Sequence, residues 1–297
     1  MTDTKSPAAT GLYAAFAAYA LWGIMPVYFH ALVGVPPLEI VAHRIIWSVF
    51  LLLLILLLRG RLAGLWETLV NWRLISPLIA SALLIAVNWL LYIWAVQNGH
   101  ILAASLGYFL NPILNVLLGF AVLGERLSRA QWCAVALAGA GVIVLGVGAL
   151  STLWISISLA VSFGVYGLIR KMTPAGPMVG LTAETLVLLP FALLGMVYWT
   201  ANDSLAFGNA GAAKDALLIA AGVITAVPLL LFAFAARRLR YATMGLIQYL
   251  GPTIQMMLGL FLYGEAMSLA HKVAFPLIWG ALALYSWSAI RQHRSEA

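Results

Sequence analysis

The chain has little charge and almost no cysteine. Of its 297 residues only 8% are Asp, Glu, Lys or Arg, whereas a soluble globular protein carries about a quarter. So few charged groups cannot cover a surface of this size in water, which excludes a soluble enzyme or binding module. Cys133 is the single cysteine, so the chain forms no disulfide with itself and no thiolate metal cluster. It has no His-Glu-x-x-His stretch, no paired aspartates inside an apolar run and no serine–histidine or serine–lysine set at helical spacing. A Gly-rich ATP-binding loop is also missing. Membrane-embedded catalysis and ATP-driven pumping thus lack their machinery, and no cofactor or metal is expected.

What the chain does have is hydrophobic length. Apolar residues make up 64% and the mean hydropathy is +1.02. Apolar stretches near twenty residues cross a bilayer. Ten are present, at about 11–32, 38–58, 74–97, 102–123, 130–148, 151–169, 179–199, 215–236, 242–263 and 271–290. The longest connections, Arg59–Arg73 and Thr200–Lys214, are too short for a soluble domain. The expected fold is an all-α membrane protein of ten transmembrane helices with short tails at 1–10 and 291–297. The first span is longer than a signal-peptide core, and Thr10–Leu21 offers no cleavage context, so it is read as a retained helix.

The net charge of +7 and pI near 9.7 point to orientation rather than to nucleic acid. With the N-terminus inside, the cytoplasmic segments hold Lys5, Arg59, Arg61, Arg73, Arg126, Arg129, Arg170, Lys171, Arg237, Arg238, Arg240, Arg291 and Arg294. External segments hold Lys214 and Lys272 alone, and Arg44 lies within a span. Every second loop is basic, the usual cytoplasmic excess of inserted helices. Both termini fall in the cytoplasm, and the alternation requires an even number of spans.

The chain also repeats itself. An offset of 140 residues lays Val87–Ala130 on Val227–Ala270, with about thirteen of forty-four positions identical. Pro112 falls on Pro252, Gly119 on Gly259, Gly124-Glu125 on Gly264-Glu265, Ser128 on Ser268, and the amide Asn115 on the amide Gln255. The two repeats are expected at 11–148 and 151–290, with five spans each. An odd number inverts the second half relative to the first, the build of a secondary transporter whose site lies where the halves meet.

Polar groups inside apolar spans are costly and normally face the interior of the bundle. Arg44 and Glu184 stand out, and the same offset pairs them, seven residues after Pro37 and Pro177. Two readings are open: a salt bridge locking the halves, or separate roles along a central pathway. Each lies roughly six residues, or about 9 Å, from opposite faces, which favours the second. His43 points elsewhere around the helix and is either a proton carrier or a hydrogen-bonded packing histidine. Glu39, near the outer end of that span, is expected to meet water.

Asn88, Trp89, Tyr92 and Gln97 in the third span, with Tyr108, Asn111 and Asn115 in the fourth, form a polar and aromatic ladder. Gln248, Gly251 and Gln255 mirror the fourth span's face in the ninth. These faces are expected to look inward, although such amides also serve simply to hold helices together. Trp22, Trp47, Phe163 and Tyr166 are further candidates to line a pocket, while Trp66, Trp72 and Trp199 suit the membrane interface. Pro112 and Pro252 are expected to kink their helices as hinges; Pro26, Pro190, Pro228 and Pro276 are also internal. Small residues Ala134, Ala138, Gly139, Gly141 and Gly146 suit close packing of the fifth span, including a homodimer contact.

These features, taken in order, resemble a known family. The chain is similar to EamA-type permeases of the drug/metabolite transporter superfamily, and within them to the RarD group. The residues that carry this are Tyr19–Gly23, His43-Arg44 with Trp47-Ser48, Asn88–Leu91, Ile93–Val96, Ala104–Phe109 with Asn111-Pro112, and Leu123–Arg126. Further along they are Tyr166–Leu168 with Arg170-Lys171, Gln248-Tyr249, and Gly251–Thr253. The resemblance covers nearly the whole chain. It implies a ten-span permease of the bacterial inner membrane, with two inverted EamA repeats and a central cavity lined by spans one to four and six to nine. Spans five and ten would pack outside, and export is the implied direction. The substrate-pathway candidates are Arg44, Glu184, His43, Trp47, Asn88, Trp89, Tyr92, Tyr108, Asn111, Asn115, Tyr166, Gln248, Tyr249 and Gln255. The cargo would be a small metabolite, an amino-acid-like compound or a drug, with proton coupling through Glu184 or His43 left open. A passive channel or a non-transporting sensor is the competing class, and a membrane-embedded enzyme ranks below both.

Overall fold

The structure is a computed structural model that describes residues 7–124, 127–236, 238–239 and 247–295. Lys5, Glu125, Arg126, Arg237, Arg240 and positions 242–246 of the ninth expected span lie outside the described residues. Among the described residues every regular element is helical. The helices are α1 (Pro7–Gly23), α2 (Met25–Ala31), α3 (Pro37–Leu58), α4 (Leu62–Val70), α5 (Trp72–Gln97) and α6 (Ile101–Leu123). Then follow α7 (Arg129–Gly148), α8 (Leu150–Met172), α9 (Pro177–Ala201), α10 (Ala212–Ala236), α11 (Leu250–Met257, continued by a wider turn at Leu258–Leu262) and α12 (Leu269–Ser295). Among the described residues, nine helical spans are long and apolar enough to cross a membrane, with α1 and α2 together forming the first, and α11 with its extension is a shorter tenth. Large side chains such as Phe50, Val147, Phe191 and Phe261 point outward. In water such a surface would aggregate, and in a bilayer it is the lipid-facing side. The chain is a multi-pass membrane protein.

Local chemistry sets the helix boundaries. Prolines 37 and 177, which the offset pairs, occupy the first position of α3 and α9, where a missing N–H costs nothing. Gly124 ends α6 at φ 67°, and its repeat partner Gly264 follows α11 at φ 66°, a left-handed conformation that favours glycine. Ser128 and Gln131 form a reciprocal capping box that opens α7.

Three features depart from the ten-span expectation. The first span is broken at Ile24 into α1 and α2, because Pro26 has no N–H to return to the carbonyl four residues earlier. The short Arg59–Arg73 connection contains α4, which exposes Leu62, Trp66 and Val70 and buries Leu65 and Thr68, the form of a helix lying in the membrane interface. Leu258–Leu262 is a π-helical turn, whereas the repeat-equivalent stretch 118–122 is ordinary α-helix.

Packing follows the repeat. α1 lies against α10 as α5 lies against α8, and α3 packs on α10 as α9 packs on α5. α3 and α9 cross each other at the centre. α7 and α12 pair at the periphery, where a Cβ on Gly141 would lie 3.1 Å from Ile278 and one on Gly148 would lie 2.7 Å from Ala270. The small-residue stripe Ala134, Ala138 and Gly141 is therefore buried against α12 of the same chain. We call the face bearing the start of α1 proximal and the opposite face distal.

Candidate functional site

Two charged clusters occupy the interior, one towards each face. In the distal half, two turns after Pro37, α3 carries Arg44, which is 7% exposed. Its Nε donates to Thr225 Oγ1 of α10 at 3.0 Å. The guanidinium carbon sits 4.3 Å from the ring centre of Trp89 and 5.4 Å from that of Phe29, and Tyr28, Tyr92 and Tyr108 surround the charge. In the proximal half, α9 carries Glu184, which is 1% exposed. Ser81 of α5 donates to its Oε1 at 2.5 Å, Arg170 of α8 approaches the same oxygen with Nε at 3.6 Å, and Tyr166 lies beside both. Gly180 makes room for Arg170, since a Cβ there would overlap the guanidinium. Arg44 and Glu184 therefore have different partners.

A run of aromatic rings connects the clusters. Phe29 meets Tyr92 at 5.8 Å between centres, Tyr92 meets Tyr108 at 5.6 Å, Tyr108 meets Phe163 at 5.9 Å and Phe163 meets Tyr166 at 5.9 Å. Asn88 of α5 ties the run to α6 and α8. Its Nδ2 donates to Leu159 O at 3.1 Å and to Ser162 Oγ at 2.9 Å, and its Oδ1 accepts from Tyr108 Oη at 3.2 Å.

The remaining sequence candidates divide. His43 faces away from Arg44: its Nδ1 accepts from Trp47 Nε1 at 3.1 Å, and its ring lies 4.8 Å from that of Phe207. Asn111, one turn beyond Tyr108, is 1% exposed and neither amide atom has a partner. Gln255 Nε2 donates to Trp22 O at 3.0 Å, the carbonyl that Pro26 leaves unsatisfied. Asn115, its repeat equivalent, is exposed. Tyr249 stacks on Phe109 at 6.5 Å, in the apolar cluster joining α6 to α7 and α12 rather than with the charges. Gln248 is half-buried. Pro112 lies inside α6, and the carbonyl of Pro252 in α11 accepts from Ser105 Oγ at 2.8 Å. No three His, Cys, Asp or Glu side chains among the described residues gather as a metal site requires.

Sequence reasoning did not find the groups that close the distal face. Glu39 is fully buried, which corrects the expectation that it meets water. Its carboxylate accepts from the backbone N–H groups of Ala206 at 3.0 Å and Phe207 at 2.8 Å, so the loop between α9 and α10 covers it. Glu265 likewise accepts from the N–H groups of Ile101 at 2.6 Å and Leu102 at 2.8 Å, at the start of α6. Lys214 Nζ donates to Val33 O at 2.7 Å, Tyr28 Oη to Leu217 O at 2.9 Å, and Gln97 Nε2 to Leu32 O at 3.0 Å. Most of these contacts join the two halves. Their acceptors or donors are main-chain groups, which leave no trace in a side-chain pattern.

A helical membrane bundle of two similar halves, with buried charge on both sides of its centre, has the architecture of a membrane transporter. The model of the EamA-like transporter family matches residues 9–147. An uncharacterized transporter of Pseudomonas aeruginosa is 44% identical, over 93% of this chain and 93% of its own. Protein RarD of Escherichia coli is 43% identical, over 96% of each. A solved crystal structure of 21% identity aligns with a TM-score of 0.62, over 93% of this chain and 96% of its own, and shares the fold. The chain belongs to the EamA-like transporter family of the drug/metabolite superfamily, in its RarD group.

Proposed function

We propose that this protein is a secondary transporter of the bacterial cytoplasmic membrane that moves a small metabolite, an amino-acid-like compound or a drug by alternating access, in the export direction. Both termini lie in the cytoplasm, as the basic loops favour, so the proximal face is cytoplasmic. The observation that carries the reading is the aromatic run from the Arg44 cluster to the Glu184 cluster, which gives an apolar body continuous contact between two buried charges. The inequality of the repeats supports alternating access: Gln255 is bonded and buried while Asn115 is exposed, and only one copy carries the π turn. A lone amide facing hydrocarbon is costly, so an exposed Asn115 fits a water-filled cytoplasmic mouth below a closed external face. Glu184 is the coupling candidate, because its Oε2 has no partner and can carry a proton.

The test is counterflow in proteoliposomes with amino acids and chloramphenicol, with and without a pH gradient. Saturable uptake that Glu184→Gln uncouples from the gradient and Arg44→Ala abolishes is the expected outcome. Non-saturable flux in both directions would instead identify a channel, and unchanged uptake in both variants would remove these residues from the pathway.

A further inference from the structure

We propose that the Arg44 guanidinium anchors a small organic carboxylate of net charge −1, whose apolar body lies against Trp89, Tyr92 and Phe29. This deepens the carrier reading and rests on it.

The argument starts from an uncompensated charge. A cation as buried as Arg44 normally has a carboxylate partner, because desolvation is otherwise unopposed. Arg44 has none among the described residues: Nε is bonded to a neutral hydroxyl, and the other contacts are ring faces. The described acids near the interior and the distal face are already engaged. Glu39 and Glu265 hold backbone amides, Glu184 holds Ser81 and Arg170, and Asp215 accepts from Gly208 N. Asp203 stands exposed in a distal loop and Glu67 on the exposed face of α4.

The surroundings suit an anion brought from outside. Trp89 covers one face of the guanidinium at 4.3 Å, which leaves the Nη edge for the two-pronged grip that carboxylates accept. The Tyr92 hydroxyl, on a residue only 5% exposed, has no partner and lies in the field of the same charge. It supplies a neutral donor to a carboxylate oxygen. The unpartnered Asn111 amide lies one turn along α6 from Tyr108 and offers a further polar contact. No carboxylate is free beside Arg44 to receive an ammonium, so a monoanion fits better than a zwitterion.

The test titrates the full-length protein in lipid nanodiscs with four compounds that share one body: 3-phenylpropanoate, 3-phenylpropan-1-ol, 3-phenylpropylamine and L-phenylalanine. Benzoate and butyrate vary the body, and chloride serves as the inorganic control. At least one of the three monocarboxylates should bind. For the shared body, the carboxylate should bind roughly tenfold or more tightly than the alcohol, the amine or the amino acid. Arg44→Gln should weaken it by roughly 10- to 100-fold and Tyr92→Phe by less. The comparison of compounds on the unmodified protein decides the matter even where a variant fails to fold. Equal binding of the alcohol, tighter binding of L-phenylalanine, complete competition by chloride, or no binding of any monocarboxylate would overturn the proposal. So would unchanged affinity in a folded Arg44→Gln protein. Counterflow of the same compounds separates the two readings. Carboxylate binding without counterflow overturns the carrier alone, whereas counterflow of the amine or alcohol with no carboxylate binding overturns the anchor alone.

Discussion

Replacing Glu39 with glutamine tests whether a single carboxylate holds the loop between α9 and α10 over the distal end of α3. The carboxylate receives two N–H groups at 3.0 and 2.8 Å. Glutamine keeps one acceptor and turns its own NH₂ towards the other donor, so one bond is lost and the survivor is no longer charge-assisted. A hydrogen bond to a charged group contributes about 1.5–3 kcal/mol. Ala206 and Phe207 are half-buried, so water recovers part of the loss and the lower end applies, at about 2 kcal/mol. Two kcal/mol is about a 30-fold change in an opening equilibrium, which hydrogen–deuterium exchange reads directly. The 203–211 segment should exchange about 30-fold faster at the amides of residues 206 and 207 in Glu39→Gln, and faster still in Glu39→Ala. Exchange elsewhere in α9 and α10 should not change. Unaltered exchange at those two amides would refute the idea that Glu39 secures the loop.

Other perturbations follow from the packing. A Cβ on Gly222 would lie 2.5 Å from the Trp47 carbonyl carbon, while Gly139 has open space. Gly222→Ala should therefore cost about 1–3 kcal/mol through forced backbone separation, and Gly139→Ala should be neutral or slightly stabilising; equal melting temperatures for the two would contradict the close crossing of α3 and α10. Arg170→Met should destabilise by about 3 kcal/mol, the low end for a broken buried pair, because Arg170 is 15% exposed. The Arg170→Met/Glu184→Met double variant should recover most of that loss, and a purely additive double would show that the two side chains do not interact. At Glu265, burial raises the carboxyl above its ordinary range, against the opposing pull of the Leu102 and Ile101 amides. A folded value above the unfolded one means that its contribution is fully present below the unfolded value of about 4.3 and is lost as pH rises through the folded value. The melting temperature of the unmodified protein should thus fall relative to Glu265→Gln as pH is raised from about 4.3, and a constant difference would refute the assignment.

The spans were legible because membrane insertion depends on summed hydrophobicity, a property carried residue by residue. The repeat was legible in Pro37 and Pro177 and in Gly124 and Gly264, where proline and glycine report backbone positions directly. The break at Ile24 is visible only as Pro26, and the other internal prolines, such as Pro112, Pro190, Pro228 and Pro276, leave their helices continuous. The short helix α4 was hidden because nine residues are too few for a strong periodic signal. The charge pattern groups Arg170 with the loop cations, yet its long side chain reaches back to Glu184; nothing in the sequence fixes that reach. Glu39 reads as exposed because it sits near the end of its span, whereas a loop from the other half folds over it.

The grips of Glu39 and Glu265 on main-chain N–H groups bear on how this protein can drift. Positions 206, 207, 101 and 102 give these contacts from their backbones, so the grips themselves make no demand on the side chains there, whose constraint is packing: Ile101 and Leu102 by burial and Phe207 by its ring against His43. Two kinds of change are barred: proline, which has no N–H to give, and insertions or deletions that move the amides out of range. Lineages of this chain should therefore keep the lengths of these segments fixed even where their letters change.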